Sequence, residues 1–204
     1  MVEIFTYTPR DYFGSNTYLI SSDDEWAVVD PSVDYSEVER EHPDIRGKIK
    51  YILLTHAHFD HILMINTWLS NNTTVIVGKA DKEALSNPSL NCYLGFLGIE
   101  EGYYGPSLGV DESDVLTLGK KDIRIICCPG HTPGGVSYKI DNSVFVGDTL
   151  FASGGYGRFD LPGGDYDTLM KTLMRLFICL NDDRIVYPGH GLPTTIKDSR
   201  KFFI

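Results

Sequence analysis

Four side chains able to bind a metal fall within six consecutive positions of this 204-residue chain: His56, His58, Asp60 and His61, in the segment Thr55-His56-Ala57-His58-Phe59-Asp60-His61. The segment follows an apolar run and precedes a stretch with helical spacing of apolar residues. His56 and His58 are two apart, so in an extended chain their rings point the same way. Asp60 and His61 stand where the chain turns, and approach a neighbouring point from another side. Three more residues are delivered just past apolar strands and beside glycine: His131 after Cys128-Pro129-Gly130, Asp148 after Val144 to Gly147, and His190 after Val186-Tyr187-Pro188-Gly189. Seven imidazole and carboxylate groups exceed what one tetrahedral zinc takes, but suit two divalent ions sharing a carboxylate. Zinc is the expected ion; iron or manganese would accept the same donors. The competing reading, of hydrogen-bonded core histidines, serves His190 alone equally well. It leaves the crowded imidazoles of the 56–61 cluster without a ligand or charge partner. His42, in a polar run, is expected at the surface.

The elements that must position these groups are mostly short strands. Runs over 2–7, 17–21, 26–30, 51–54, 73–77, 123–127, 135–140, 144–147 and 184–187 read as strands, punctuated by turn residues. Helices are expected over 35–39, over 61–69 through Ile62, Ile65 and Leu69, and over 166–180 through Leu169, Leu173, Leu176 and Leu180. A further helical stretch should follow Lys79. The passage 87–108, with Tyr93, Phe96, Tyr103 and Tyr104, lacks a clean period and reads as a lid or binding excursion. Several strands followed by a helix in each half favour two packed sheets with helices outside.

Composition narrows the function. Eighteen Lys and Arg against 28 Asp and Glu give a net charge of -10, which argues against a nucleic-acid partner because phosphate contacts need cations. The opening Met1-Val2-Glu3-Ile4 carries no signal pattern, and no segment approaches a membrane span, so a cytoplasmic protein without a membrane partner is expected. Cys92, Cys127, Cys128 and Cys179 lack paired metal-binding spacing and are expected to be reduced. Of the adjacent pair, one should face the core and the other the rim of the site. A single domain over 1–204, monomeric or a small homo-oligomer, fits the length.

Four ordered motifs, THAHFDH at 55–61, PGHTPGG at 129–135, GDTLF at 147–151 and PGHG at 188–191, make the chain resemble the metallo-β-lactamase superfamily along nearly its whole length. The resemblance implies an α/β fold, the four-layer αββα sandwich. It also implies one metal on His56, His58 and His131, a second on Asp60, His61 and His190, and Asp148 bridging. The stretch from Gly147 to Asp165 is most similar to the glyoxalase II group, the hydroxyacylglutathione hydrolases. That likeness implies hydrolysis of a thioester such as S-lactoylglutathione by water activated between the metals and oriented by Asp60. Arg158 stands where glutathione-using members carry a substrate-holding cation; its alternative role is an ion pair with Asp160 or Asp165. Asp160 itself replaces a tyrosine common in those enzymes. Phe159, Tyr93, Phe96, Tyr103 and Tyr104 are candidate contacts to the small-molecule substrate. Alternatives within the superfamily are a mononuclear iron sulfur dioxygenase acting on persulfides and a lactone or β-lactam hydrolase. A non-enzymatic metal-binding module is the remaining reading.

Overall fold

Strands whose successive residues are all apolar need cover on both faces, and this chain provides two such sets. The computed structural model describes residues 2–9 and 13–204; Met1, part of the N-terminal reading, lies outside the described residues. Strands β1 (Glu3–Tyr7), β2 (Thr17–Ser22), β3 (Glu25–Val29), β4 (Ile49–Leu53), β5 (Thr74–Gly78) and β6 (Leu108–Val110) form one sheet in that order. Strands β7 (Val115–Leu118), β8 (Lys121–Cys127), β9 (Val136–Ile140), β10 (Ser143–Gly147), β11 (Ile185–Pro188) and β12 (Thr194–Thr195) form the other, also in order. Helices are α1 (Tyr35–Glu41), α2 (Phe59–Ile62), α3 (Tyr93–Leu97), α4 (Tyr166–Cys179) and α5 (Ile196–Arg200). The first sheet turns from antiparallel to parallel at β3–β4, and the second has its one parallel pair at β10–β11. The parallel strands β4, β10 and β11 end at ligand-bearing loops, and the antiparallel β8 leads to the loop that carries His131.

The period-2 alternation of side chains sorts the layers. On β2, β3 and β4, Leu19, Val28 and Ile52 face an outer core with Val38 of α1 and the buried Trp68. Their neighbours Ile20, Val29 and Leu53 face inward and meet Ile123, Ile125, Tyr138 and Phe145 of the second sheet. On that sheet's far side, Val144, Val146 and Val186 pack against Leu169, Leu173 and Leu176 of α4. The result is the expected αββα sandwich. Helix α4 begins where Asp165 accepts a hydrogen bond from the Thr168 amide at 2.7 Å, a side-chain cap that satisfies an orphan donor.

Two helical expectations give way to tertiary bonds. The segment 61–69 forms only α2 and a 3-10 turn, Ile65–Trp68. Continuing α2 would need the Asp60 carbonyl to accept from the Met64 amide. That carbonyl instead accepts from the Ser15 amide and hydroxyl, while the Met64 amide donates to Pro31 at 2.9 Å. Leu69, at the end of the expected stripe, is 40% exposed. After Lys79 there are only two 3-10 turns, Lys79–Asp81 and Ala84–Ser86, because Asp81 is held by bonds to the 132–134 loop. The short strands β6 and β7 carry no buried-strand pattern in the sequence, since Leu108 and Val115 are exposed. His42 is half-buried instead of on the surface, its ring centroid 4.1 Å from that of Phe5.

Leu173 is fully buried between α4 and the second sheet. Leu173→Ala should lower unfolding free energy by about 2–5 kcal/mol, transfer and cavity costs together. Urea unfolding of the metal-loaded protein measures this, and a loss under ~1 kcal/mol would contradict the packing described.

Candidate metal centre

Each ligand-type side chain is placed by the end of a strand and locked by backbone bonds. After β4, the Thr55 amide and hydroxyl donate to the Asp30 carboxylate at 2.8 and 2.7 Å, and the Thr55 carbonyl accepts from Val136 at 2.8 Å. This ties both sheets to the start of the 56–61 turn. After β10, Gly147 adopts a φ of +53°, and a Cβ there would lie 2.2 Å from the Thr55 hydroxyl. Only glycine permits that approach. The Gly189 amide donates to the Gly147 carbonyl at 2.8 Å, setting the His190 loop beside Asp148.

The seven expected residues converge. His58 Nδ1 lies 2.9 Å from His131 Nε2, which lies 3.2 Å from His56 Nε2. His61 Nε2 lies 3.5 Å from Asp60 Oδ2 and 3.3 Å from Asp148 Oδ1. His190 Nε2 lies 3.0 Å from Asp60 Oδ2 and 3.6 Å from Asp148 Oδ2, whose distance to His131 Nε2 is 3.7 Å. Among the described residues, three groups offer one donor atom per residue with those atoms within 4.8 Å of one another: His56, His58 and His131; Asp60, His61 and His190; and His56, His61 and Asp148. The third triad reaches from one to the other.

These atoms fit metal ions better than they fit each other. His61 Nε2 and Asp148 Oδ1, though 3.3 Å apart, are buried without a well-oriented hydrogen bond, an expensive state for polar atoms unless a ligand meets them. Burial, with the neighbouring imidazoles, holds His56 well below the usual histidine range and His58 down to about 3, so both present neutral rings with lone pairs available to a cation. At His61 burial works against the charged ring, but Asp30, Asp60 and Asp148 outweigh it and raise its pKa well above the usual value. Burial opposes ionisation of Asp60 and Asp148 too, and the surrounding histidines, His61 foremost, keep both below the ordinary carboxylate range. A proton on His61 thus does in part what a cation between the same carboxylates would do.

Several supporting residues carried no signal in the sequence reading. Asp30, buried after β3 at a φ of +49°, contacts His61 Nδ1 at 2.8 Å while holding Thr55. A carboxylate behind an imidazole fixes its tautomer and leaves Nε2 for a metal. Asp81, buried, accepts from the Thr132 hydroxyl at 2.7 Å and the Gly134 amide at 2.6 Å, anchoring the loop that carries His131. The Asn16 amide group donates to Gly191 at 2.8 Å and the Tyr18 hydroxyl to Pro188 at 2.6 Å, bracketing His190. An Asp directly after an apolar strand was the only available hint for Asp30.

The donors open into a cavity of about 430 Å³, lined by Asp60, Asp148, His58, His131 and His190 together with Phe13, Phe59, Cys92, Phe96, Phe151, Tyr156, Gly157, Arg158 and Leu161. Of the candidate substrate contacts, Arg158 and Phe96 lie on this wall. Tyr93 packs behind it against Phe59, with centroids 5.6 Å apart. Phe159 packs on Tyr166 away from the wall. Tyr103 is buried with its hydroxyl on the Pro106 carbonyl, and Tyr104 is exposed beside it; both face a separate groove. The excursion therefore brings α3 to the site and carries its later tyrosines away. The cysteine at the rim is Cys92, not Cys127 or Cys128. Cys128 lies in the α4 core, and Cys127 sits near Arg175, which donates to its carbonyl.

The chain belongs to the metallo-beta-lactamase superfamily, whose family model matches residues 10–190. It is 31% identical over 95% of its length to hydroxyacylglutathione hydrolase GloC of Haemophilus influenzae, of which it covers 93%. Among solved structures it is similar to BLEG-1 B3 metallo-beta-lactamase, with a TM-score of 0.85, 30% identity and coverage of 98% and 97% of the two chains. It is similar also to TTHA1623 in a di-iron-bound form, with a TM-score of 0.77, 26% identity and 97% of each chain covered. Members of the superfamily bind metal ions, in accord with the His/Asp cluster found here.

Asp30→Asn removes the charge behind His61 while keeping the residue's size. It should weaken metal retention about 10- to 100-fold, the usual cost of losing a residue that orients a ligand. Titration with a competing chelator measures this, and unaltered retention would show that Asp30 serves the fold alone.

Proposed function

We propose that the protein is a dinuclear metal-dependent hydrolase of thioesters, S-lactoylglutathione or a related acyl thiol. The observation that carries the reading is a cluster of seven imidazole and carboxylate groups, five of which line a cavity with largely apolar walls. The 31% identity with a hydroxyacylglutathione hydrolase supports it. His56, His58 and His131 would hold one ion, Asp60, His61 and His190 the other, with Asp148 shared. Bound divalent ions, zinc by preference and iron or manganese on the same donors, lower the pKa of water and polarise a carbonyl.

The chain's own residues do the rest. Asp60 faces the cavity with Oδ2 held at 3.0 Å from His190, and its carboxylate accepts a hydrogen bond from the attacking water and orients it toward the acyl carbon. Phe59, Phe96, Phe151 and Leu161 exclude solvent around the acyl chain. A thiolate departs without a strong general acid, so the reaction needs no proton donor on the leaving side. The 30% identity with BLEG-1 favours a second reading, β-lactam hydrolysis, which asks the same attack on an amide carbonyl but needs a proton for the departing nitrogen.

Metal-loaded protein should hydrolyse S-lactoylglutathione or other acyl thioesters faster than a lactone, a β-lactam or a phosphodiester. His58→Ala and chelation should each lower turnover by more than about 100-fold, beyond the loss expected from a merely orienting residue. Continuous thiol release measures this. Full activity after metal removal, or activity on the β-lactam alone, would overturn the thioester reading.

A further inference from the structure

Among the described residues Arg158 is the one cation on the wall of the site cavity, and its placement is fixed from behind. Its carbonyl contacts His131 Nδ1 at 2.6 Å, and the preceding Gly157 amide donates to the Asp148 carbonyl at 2.9 Å. A Cβ at Gly157 would lie 2.0 Å from that carbonyl and 2.8 Å from the His131 ring, so the backbone runs as close to the ligands as a chain can. The guanidinium therefore leaves the backbone at a set position beside the donors and reaches the cavity mouth, over the Phe96 ring at 5.7 Å. There it is already engaged. Asp160 accepts from its Nε at 2.9 Å and from Nη2 at 2.8 Å, the paired geometry with which arginine takes any carboxylate.

Both partners are more than half exposed, at 57% and 60%. An exposed pair of this kind is weak and easily exchanged with solvent or ligand. Asp160 is tethered two residues away, however, so it competes at high effective concentration with any carboxylate arriving from outside. It also places a negative charge at the mouth of the site. Discrimination often rests on such a built-in repulsive element.

Resting on the thioester reading above, we propose that Asp160 is a specificity-determining residue. As a tethered carboxylate it occupies Arg158 and biases the site toward thioesters whose thiol half carries no carboxylate at the mouth. A carboxylate-bearing thiol half binds by displacing it. No bond is made or broken in this step; one ion pair is exchanged for another.

The test uses metal-loaded full-length protein and two thioethers that cannot be hydrolysed, S-hexylglutathione, which bears carboxylates, and S-hexyl-N-acetylcysteamine, which bears none. Calorimetry of Asp160→Ala should show the preference for the first over the second rising about fivefold at low salt, the scale of an exposed ion pair. The gain should shrink toward 0.5 M salt as screening shortens the reach of the charges. It should vanish when Arg158→Gln is added, which a merely structural role for Asp160 would not require. An unchanged preference, or a gain that survives loss of Arg158, overturns the assignment. Turnover of lactoyl-glutathione and lactoyl-N-acetylcysteamine thioesters by the same proteins keeps the two readings apart. Absence of hydrolysis with the binding shift intact would reject the activity and leave the assignment standing. Hydrolysis with an unshifted preference would do the reverse.

Discussion

The mutual crowding of buried donor atoms at the strand ends is the constraint from which the rest follows. Imidazole nitrogens stand 2.9 and 3.2 Å apart in one triad, and the Asp60 and Asp148 oxygens meet the His61 and His190 imidazoles at 3.0 to 3.6 Å. Lone pairs and negative charges so arranged are costly in a low-dielectric pocket unless positive charge lies among them. The protein tolerates the arrangement because two packed sheets, Asp30, Asp81 and the 15–18 segment hold the loops that carry it. Stability from the cores is thus spent on a site that is poor on its own and well satisfied by metal.

The supports share one logic. Asp30 joins β3 to the turn after β4 and to His61; Asp81 joins the end of β5 to the loop after β8; Asn16 and Tyr18 join β2 to the loop after β11. Each is a buried polar residue whose bonds cross between segments distant in sequence. Such bonds convert the rigidity of the sheets into fixed positions for donor atoms, which catalysis by orientation requires. They also explain why α2 is a single turn: the Asp60 carbonyl serves Ser15 instead of a fourth helical residue.

Much of this was legible beforehand. The ligand-type residues announce themselves by local patterns: four crowd into 56–61 after an apolar strand, and His131, Asp148 and His190 each follow a glycine just past one. The layers follow from continuous apolar strands and the leucine stripe of α4, and the structure has both. What stayed hidden depends on contacts far apart in the chain. Asp30 reads as an ordinary turn residue until His61 is seen beside it. The stretch 61–69 has helical apolar spacing and is cut short by bonds to residues 15 and 31. Tyr103 and Tyr104 shared the composition of a lid with Phe96, yet only the latter reaches the cavity, because the backbone between α3 and β6 turns back onto Leu85. His42 sits among charged residues in sequence but under Phe5 in space.

On the proposed reading, the seven residues form two adjoining ligand sets sharing Asp148. Elemental analysis of protein purified without added metal or chelator tests it most directly, read beside His190→Ala. Close to two divalent ions per chain are expected, falling toward one in the variant, with the ion on the His56, His58 and His131 side retained. One ion per chain in the unaltered protein, or no change on losing His190, would contradict it.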